Sequence, residues 1–248
     1  MIISMKVKIN VLTYLFFIIY ALSGYISFIF PFLIILFIHE AGHLLAIRIF
    51  KHQIRKIEVL PFGLIIEENG YINSSIYQEF IISISGIIMQ VIFHLIITLC
   101  LHNLKYYEII SSCNIFIMLF NLCPVTPLDG YRLFSCLWET FLPYKKTFIL
   151  KLMTNGIFII IMIFGGHYSW IIIEFLIYKL IHEFHSWKEY YHRFIIEKIL
   201  YRIKYPKVRM ITSNKIDKMY RHSYHYFNIG SKWVSEREFL EKTIDKLN

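Results

Sequence analysis

Long apolar runs dominate the pattern of positions along this chain. Six stretches come close to or exceed the ~20 residues that a helix needs to cross a bilayer. They lie at roughly residues 11–29, 31–50, 80–101, 109–137, 147–165 and 168–187. Between the second and third runs, two short apolar segments flank Pro61-Phe62-Gly63, which predicts a β-hairpin. The pattern therefore predicts a mostly α, polytopic membrane protein with about six transmembrane helices and a short β-hairpin after the second.

The composition agrees with a membrane protein. The chain is 57% hydrophobic and only 17% charged, whereas an average soluble domain is about 45–50% apolar and about 25% charged. The excess apolar surface needs lipid as its surroundings. A soluble globular protein is thus excluded, and we expect an integral, multi-pass membrane protein.

Positive charge is concentrated at the C-terminal end. Residues 188–248 carry 14 Lys and Arg against 7 Asp and Glu, which is +7 of the chain's +9. After apolar segments, such a tail is more typical of the cytoplasmic side of a membrane than of a nucleic-acid-binding surface. We therefore divide the chain into a transmembrane domain, 1–187, and a small basic cytoplasmic segment, 188–248, and expect no nucleic-acid partner.

The remaining basic residues predict the orientation. In a six-span arrangement one side holds Lys6, Lys8, Arg48, Lys51, Arg55, Lys56, Arg132, Lys145, Lys146 and the tail. The opposite side holds only Lys105 among loop Lys and Arg residues. The positive-inside rule then predicts that both termini are cytoplasmic.

Candidate chemistry lies in the second apolar run, which contains His39-Glu40-Ala41-Gly42-His43. Positions four apart share one face of a helix, so both imidazoles can bind one metal ion. Glu40 can then act as the general base towards metal-bound water. The alternative is a packed helix with polar interhelical contacts. Ionisable side chains within a membrane helix are costly, however, and this favours a functional site.

A catalytic zinc site usually has a third protein ligand. Glu67 and Glu68 in the predicted hairpin are candidates, although a solvated charge pair is their simpler interpretation. Asp129 is the better candidate, because Pro124 and Pro127 interrupt helical hydrogen bonding just before it. Irregular backbone at membrane depth occurs where it is buried in protein or lines a watery cavity. A helix-capping role is the alternative for Asp129.

Two motifs taken together resemble those of the site-2 protease family of intramembrane zinc metalloproteases. The first is His39-Glu40-x-x-His43, and the second is Asn121-x-x-Pro124-x-x-Pro127-Leu128-Asp129-Gly130. The resemblance covers roughly residues 1–187. The chain departs from the family at Ser85-Gly86-Ile87-Ile88-Met89-Gln90, where A-G-P-x-x-N is common, and at Tyr131, where a second Gly is common.

The resemblance implies a role for each matching residue. His39, His43 and Asp129 are expected to bind Zn²⁺, with Glu40 as catalytic base and proton shuttle. Asn121, with Pro124 and Pro127, is expected to bind the substrate strand. The predicted hairpin could pair with an unwound substrate by strand addition.

The resemblance is strongest to a branch of the family that removes the pro-sequence of a sporulation sigma factor. It implies a membrane-associated protein substrate such as a pro-sigma factor, inhibitory membrane partners, and a location in the cell membrane or forespore membrane. That branch usually has a C-terminal CBS domain, so the tail 188–248 is interpreted as a degenerate half of such a module.

Two other functions remain open from the residues. One is a membrane-anchored protease that uses a hairpin glutamate as third ligand and works outside the bilayer. The other is a non-catalytic membrane transporter or scaffold with a transit or structural metal site.

Overall fold

The computed structural model describes residues 6–24, 26–60, 63–68, 75–103, 105–165, 170–200, 205, 207–212, 215–230 and 232–244. The described chain is mostly helical. Its helices are α1 (Val11–Leu22), α2 (Ile26–Ile49), α3 (Ile76–Cys100), α4 (Tyr107–Asn121), α5 (Asp129–Phe141), α6 (Tyr144–Gly165), α7 (Trp170–Leu200) and α8 (Glu236–Ile244). Its strands are β1 (Lys6–Ile9), β2 (Ile54–Leu60), β3 (Gly63–Glu68), β4 (Lys207–Ile211), β5 (Ser223–Ile229) and β6 (Lys232–Ser235).

Three helices within the described residues are long and apolar enough to cross a membrane: α2 from Ile29, α3 and α6. They match the second, third and fifth predicted runs, and they make the protein an integral membrane protein. The first predicted run, 11–29, is divided between α1 and the start of α2. The fourth, 109–137, forms two helices, α4 and α5, because the segment with Pro124 and Pro127 interrupts it. The six-span count stays a prediction.

The predicted hairpin is present. Strands β2 and β3 pair antiparallel, with Leu60 opposite Gly63, while Pro61 and Phe62 between them lie outside the described residues. The sequence did not predict β1, which pairs parallel with β2 and gives a sheet of order β1-β2-β3. Thr13 fixes α1 to this sheet, since its hydroxyl donates to the Val59 carbonyl over 2.9 Å.

The C-terminal tail is folded. Helix α7 extends to Leu200, so the predicted boundary after residue 187 falls inside a helix. Beyond it, β4 pairs parallel with β5, and β5 pairs antiparallel with β6. One apolar core joins the end of α7 to the sheet and α8, and it includes the fully buried Phe194, Phe227 and Leu240. The interpretation as half of a CBS module stays a prediction.

The chain forms two compact units. The first comprises Met1–Tyr71, Gln78–Cys123 and Pro127–Gly130, and the second comprises Ile72–Tyr77, Pro124–Thr126 and Tyr131–Asn248. The first unit holds the two motif histidines, Glu40 and Asp129. The second holds α6, α7 and the folded tail.

Candidate metal centre

Helix α2 brings its two motif histidines together. His39 and His43 are one helical turn apart, and both are buried, with 2% and 7% of their surface exposed. Their rings lie edge to face, with centroids 4.7 Å apart. The two Nε2 atoms are 3.0 Å from each other, so both rings present the same atom to one point.

The first residue of α5 completes the cluster. The Oδ2 atom of Asp129 lies 2.9 Å from Nε2 of His39 and 3.0 Å from Nε2 of His43. Gly130 allows this approach, because a Cβ there would collide with the backbone carbonyls of Leu122 and Cys123. The start of α5 therefore lies tightly against the residues that follow α4. This close contact explains why glycine follows Asp129 in the Leu128-Asp129-Gly130 sequence.

The outer nitrogens of both rings face acceptors. Nδ1 of His39 is 2.9 Å from Oε1 of Gln90, and Nδ1 of His43 is 2.7 Å from the carbonyl of Ile82. A carbonyl oxygen only accepts hydrogen bonds, so each Nδ1 donates a proton. Each Nε2 then has its lone pair free, as in metal sites whose histidines are oriented by second acceptors.

The donor set fits a zinc ion. Two imidazole nitrogens and one carboxylate oxygen, all within 4.8 Å of one another, are three protein ligands of the types that a catalytic zinc site uses. All three atoms present lone pairs to the same point, and a cation there would relieve their mutual repulsion. The residues that would hold the ion are His39, His43 and Asp129.

Helix α3 passes very close to the two histidines. A Cβ at Gly86 would lie 2.5 Å from Nε2 of His43 and 2.7 Å from Cε1 of His39. On α2, Gly42 directly precedes His43 and also lies close to α3, since a Cβ there would be 2.5 Å from the carbonyl oxygen of Ser85. The two glycines therefore allow α3 to form one wall of the cluster.

The β-hairpin holds the carboxylate of Glu40. Glu40 is buried, and its Oε1 atom accepts a hydrogen bond of 2.8 Å from the backbone N–H of Leu64. Gly63 beside it has φ +151°, and a Cβ there would lie 2.8 Å from the same oxygen. A residue with a side chain would displace the carboxylate, so the last residue of Pro61-Phe62-Gly63 makes room for the predicted base.

The other predicted residues have the following positions. Asn121 is the last residue of α4 and is buried on the same helical face as Asn114 and Ile117. Pro124 and Pro127 lie in the segment between α4 and α5. The side chains of the alternative ligands Glu67 and Glu68 lie outside the described part of the chain. The substrate-binding roles of the first three stay predictions.

The sequence pattern gave no role to two residues of α3: Gly86 matches the glycine of A-G-P-x-x-N, and Gln90 stands where that pattern has Asn. The structure shows Gly86 against the histidine rings and Gln90 hydrogen-bonded to one of them. One signal was available: the two are four apart, so they share a helical face, and Gln90 is a polar residue inside an apolar run.

Comparisons with known proteins agree with this geometry. The family model described as Peptidase family M50 matches residues 27–105, a range that includes the His39–His43 motif and Gln90. Among curated proteins, stage IV sporulation protein FB of Bacillus subtilis (strain 168) is 28% identical over 240 residues, which cover 92% of this chain and 82% of that protein.

A solved structure supports the same fold. The site-2 protease from Methanocaldococcus jannaschii aligns with a TM-score of 0.55 and 21% sequence identity, over 73% of this chain and 88% of that one. At this identity the match concerns the fold alone. Together with the matches to the family model and the curated relative, it confirms the predicted resemblance of this chain to the site-2 proteases of peptidase family M50.

Proposed function

We propose that this protein is an intramembrane zinc endopeptidase that hydrolyses a peptide bond of a membrane-associated protein. The observation that carries the proposal is the convergence of three ligand atoms, from His39, His43 and Asp129, beside the carboxylate of Glu40. The two histidines and Glu40 lie on a helix apolar enough to span a membrane. Buried ionisable groups in such a helix are costly and are retained for function.

Each residue of the cluster has a chemical task in this proposal. His39, His43 and Asp129 would hold a zinc ion, which would act as a Lewis acid and make water more acidic; no side chain of the cluster does this alone. Glu40 accepts the proton of the attacking water and returns it to the leaving amine nitrogen. Asn121 donates an amide hydrogen bond to the substrate carbonyl oxygen, on which negative charge develops.

The sheet of the first unit offers a surface for the substrate backbone. A helical substrate has to unwind before cleavage, because its carbonyls are bonded internally. Strand β2 is paired on both sides, by β1 and β3. In the described residues β3 therefore provides the edge nearest the base, since Leu64 of this strand contacts Glu40. An unwound substrate strand that adds to β3 would have its backbone next to Glu40.

The biological substrate proposed here is a pro-sigma factor of sporulation, cleaved to remove its pro-sequence. The support is the alignment with a stage IV sporulation protein over 92% of this chain. The proposal includes inhibitory membrane partners, a location in the cell membrane or forespore membrane, and both termini in the cytoplasm.

The test is the zinc content per molecule of purified wild type, Asp129→Ala and Glu40→Gln, with cleavage of a membrane-tethered substrate measured on the same samples. We expect one zinc in wild type, a clear loss in Asp129→Ala, and zinc without cleavage in Glu40→Gln. Full zinc in Asp129→Ala combined with loss in Glu67→Ala would support a hairpin ligand instead. Absence of zinc from well-folded wild type would refute the enzyme assignment and favour a scaffold.

A further inference from the structure

Gln90 is a buried polar residue in the middle of the apolar helix α3. None of its surface is exposed, and its Oε1 atom lies 2.9 Å from Nδ1 of His39. Burying an amide in a membrane-spanning helix costs free energy unless its hydrogen bonds are satisfied. Yet Nε2 of Gln90 has no hydrogen-bond partner among the described residues. Among those residues, the side chain of Gln90 therefore forms its hydrogen bond with His39.

The orientation of this amide decides which nitrogen of His39 carries the proton. With Oε1 facing Nδ1, the ring donates from Nδ1 and keeps the lone pair of Nε2 for a metal ion. With the amide reversed, its NH₂ group would donate to Nδ1 and the ring proton would move to Nε2. That proton would point at Oδ2 of Asp129, 2.9 Å away, and the ring could not bind a metal.

The two histidines are oriented by different means. His43 donates to a backbone carbonyl, that of Ile82, which the fold of α3 provides whatever side chain is present. His39 depends on a side chain. A single substitution at Gln90 can therefore remove the hydrogen bond that orients His39, without changing any residue of the two motifs.

The backbone around Gln90 has its own support. Nδ2 of Asn114 on α4 donates to the carbonyl of Gln90 over 3.1 Å, and Asn114 is fully buried as well. This bond helps to hold α3 against α4 but does not involve the histidine. Asn114 therefore offers a matched comparison, since it is a buried amide beside the same residue without a contact to the cluster.

We propose that Gln90 is a positioning residue of the metal centre, which fixes the tautomer and ring orientation of His39 and thereby sets the zinc affinity. This inference rests on the proposed zinc site. It assigns Gln90 the role of orienting a metal ligand. The sequence pattern alone showed only that Gln90 stands where the family often has Asn.

The experiment measures zinc affinity by competition with a fluorescent chelator for the detergent-purified full chain and for three variants. We expect Gln90→Leu to bind zinc about 10- to 100-fold more weakly, the usual effect of removing an outer-shell partner. Gln90→Glu should retain the wild-type affinity, because a carboxylate offers the same acceptor to Nδ1. Asn114→Leu should also retain it. Cobalt-substituted Gln90→Leu should show an altered ligand-field spectrum.

Each other result has a distinct meaning. Wild-type affinity and spectrum in Gln90→Leu would overturn the inference while leaving the zinc site intact. Equal losses in Gln90→Leu and Asn114→Leu would overturn it in favour of simple packing, and so would a Gln90→Glu variant as weak as Gln90→Leu. A folded wild type that binds no zinc would remove the proposed function, and this inference with it.

Discussion

Two clusters of buried ionisable residues in this protein differ in how their charges are balanced. In the second unit, Glu139 is buried between two cations: its carboxylate oxygens lie 3.0 Å from Nζ of Lys151 and 2.6 Å from Nη1 of Arg221. Burial raises the pKa of Glu139, but the charges of Arg221 and Lys151 outweigh it and hold that pKa at about 2. The carboxylate is therefore ionised and compensated by the protein itself.

The cluster in the first unit has no such compensation. His39, His43 and Asp129 present two ring nitrogens and a carboxylate oxygen to one point, and no Lys or Arg is among the described partners of these atoms. Burial alone therefore does not identify a functional site. The difference is that one cluster contains its own counter-charges, whereas the other is arranged to receive a cation.

The largest expected effect comes from closing the space that receives the cation. In Gly86→Ala, the new Cβ would lie 2.5 Å from Nε2 of His43, where a ligand atom has to be free. We expect zinc binding and cleavage to be abolished, as measured by metal content and substrate turnover. Gly156→Ala on α6 is the matched control, since nothing lies within 4 Å of its Cβ, and it should keep full zinc. Normal zinc in Gly86→Ala would contradict the geometry of the cluster.

Breaking the compensated cluster should affect stability instead of metal binding. Glu139→Gln leaves Lys151 and Arg221 buried without their carboxylate, and such a loss typically costs about 3–5 kcal/mol. Arg221→Met should cost less, because Lys151 still neutralises Glu139. Denaturant unfolding in detergent would measure both, and the zinc content per folded molecule should stay unchanged.

An exposed ion pair provides the reference for this stability test. Arg237 and Glu241 lie one turn apart on α8, 2.7 Å from each other and about half exposed. Such surface pairs contribute about 0–1 kcal/mol, so Arg237→Met should change the unfolding midpoint only slightly. If Glu139→Gln changed the unfolding midpoint as little as Arg237→Met, the interpretation that Glu139, Lys151 and Arg221 stabilise the fold by neutralising one another would be wrong.

A smaller loss of cleavage is expected from a change in the β-hairpin beside Glu40, the proposed base. In Gly63→Ala, a Cβ would lie 2.8 Å from Oε1 of Glu40, so the carboxylate has to move. A misplacement of about 1 Å can lower a rate about 10²-fold; we expect cleavage to fall by roughly this factor while zinc stays bound. Gly230→Ala also introduces a side chain at a positive φ, +55°, but with no atom within 4 Å of the new Cβ, and it should cleave normally. A parallel loss in both variants would indicate backbone strain alone.

The sequence predicted the parts of the fold that depend on local pattern. The apolar runs of α2, α3 and α6 are local signals, and so are the two short apolar segments that flank Pro61-Phe62-Gly63. The structure has all of these elements. The paired prolines likewise indicated the interruption between α4 and α5. For the site, the motif histidines and Asp129 were predicted, and the structure brings their ligand atoms together.

The parts that were missed depend on distant partners. Strand β1 has four residues and becomes a strand by pairing with β2, about 50 positions later in the chain. The contact of Arg221 with Glu139 joins residues 82 positions apart, and no motif marks either residue. At Gln90 the sequence pattern shows only a replaced asparagine, because the hydrogen bond of Gln90 to His39 depends on how two helices pack.

The smallest expected effect concerns a third buried charge, Lys198 at the end of α7. Only 2% of its side chain is exposed, and its Nζ lies 3.3 Å from Oε1 of Glu236 and donates to the carbonyl of Ser223. Burial lowers the pKa of Lys198 from its ordinary 10.5 to about 8, although Glu236 opposes this change. The charge of Lys198 is therefore only partly compensated. Its degree of compensation is intermediate between that of Glu139 and that of the metal-ligand cluster.

The sign of the resulting pH dependence follows from proton binding. Between the folded pKa of about 8 and the ordinary value of 10.5, the unfolded state binds more protons at Lys198 than the folded state. The stability of the tail should consequently rise with pH from 8 to 9.5. Above pH 9.5 the measurement is less informative, because phenols begin to ionise. Burial and Asp217 raise the pKa of Tyr191 in the folded state, so this phenol adds a pH dependence of its own.

Hydrogen exchange of β4, β5 and β6 in the full chain would measure this effect. The ratio of exchange rates between Lys198→Met and wild type, taken at each pH, removes the intrinsic pH dependence of exchange. It should increase from pH 8 to 9.5, because wild type gains protection that the variant, with no amine to titrate, does not. A constant ratio would show that the Glu236 carboxylate compensates Lys198 as fully as Arg221 and Lys151 compensate Glu139.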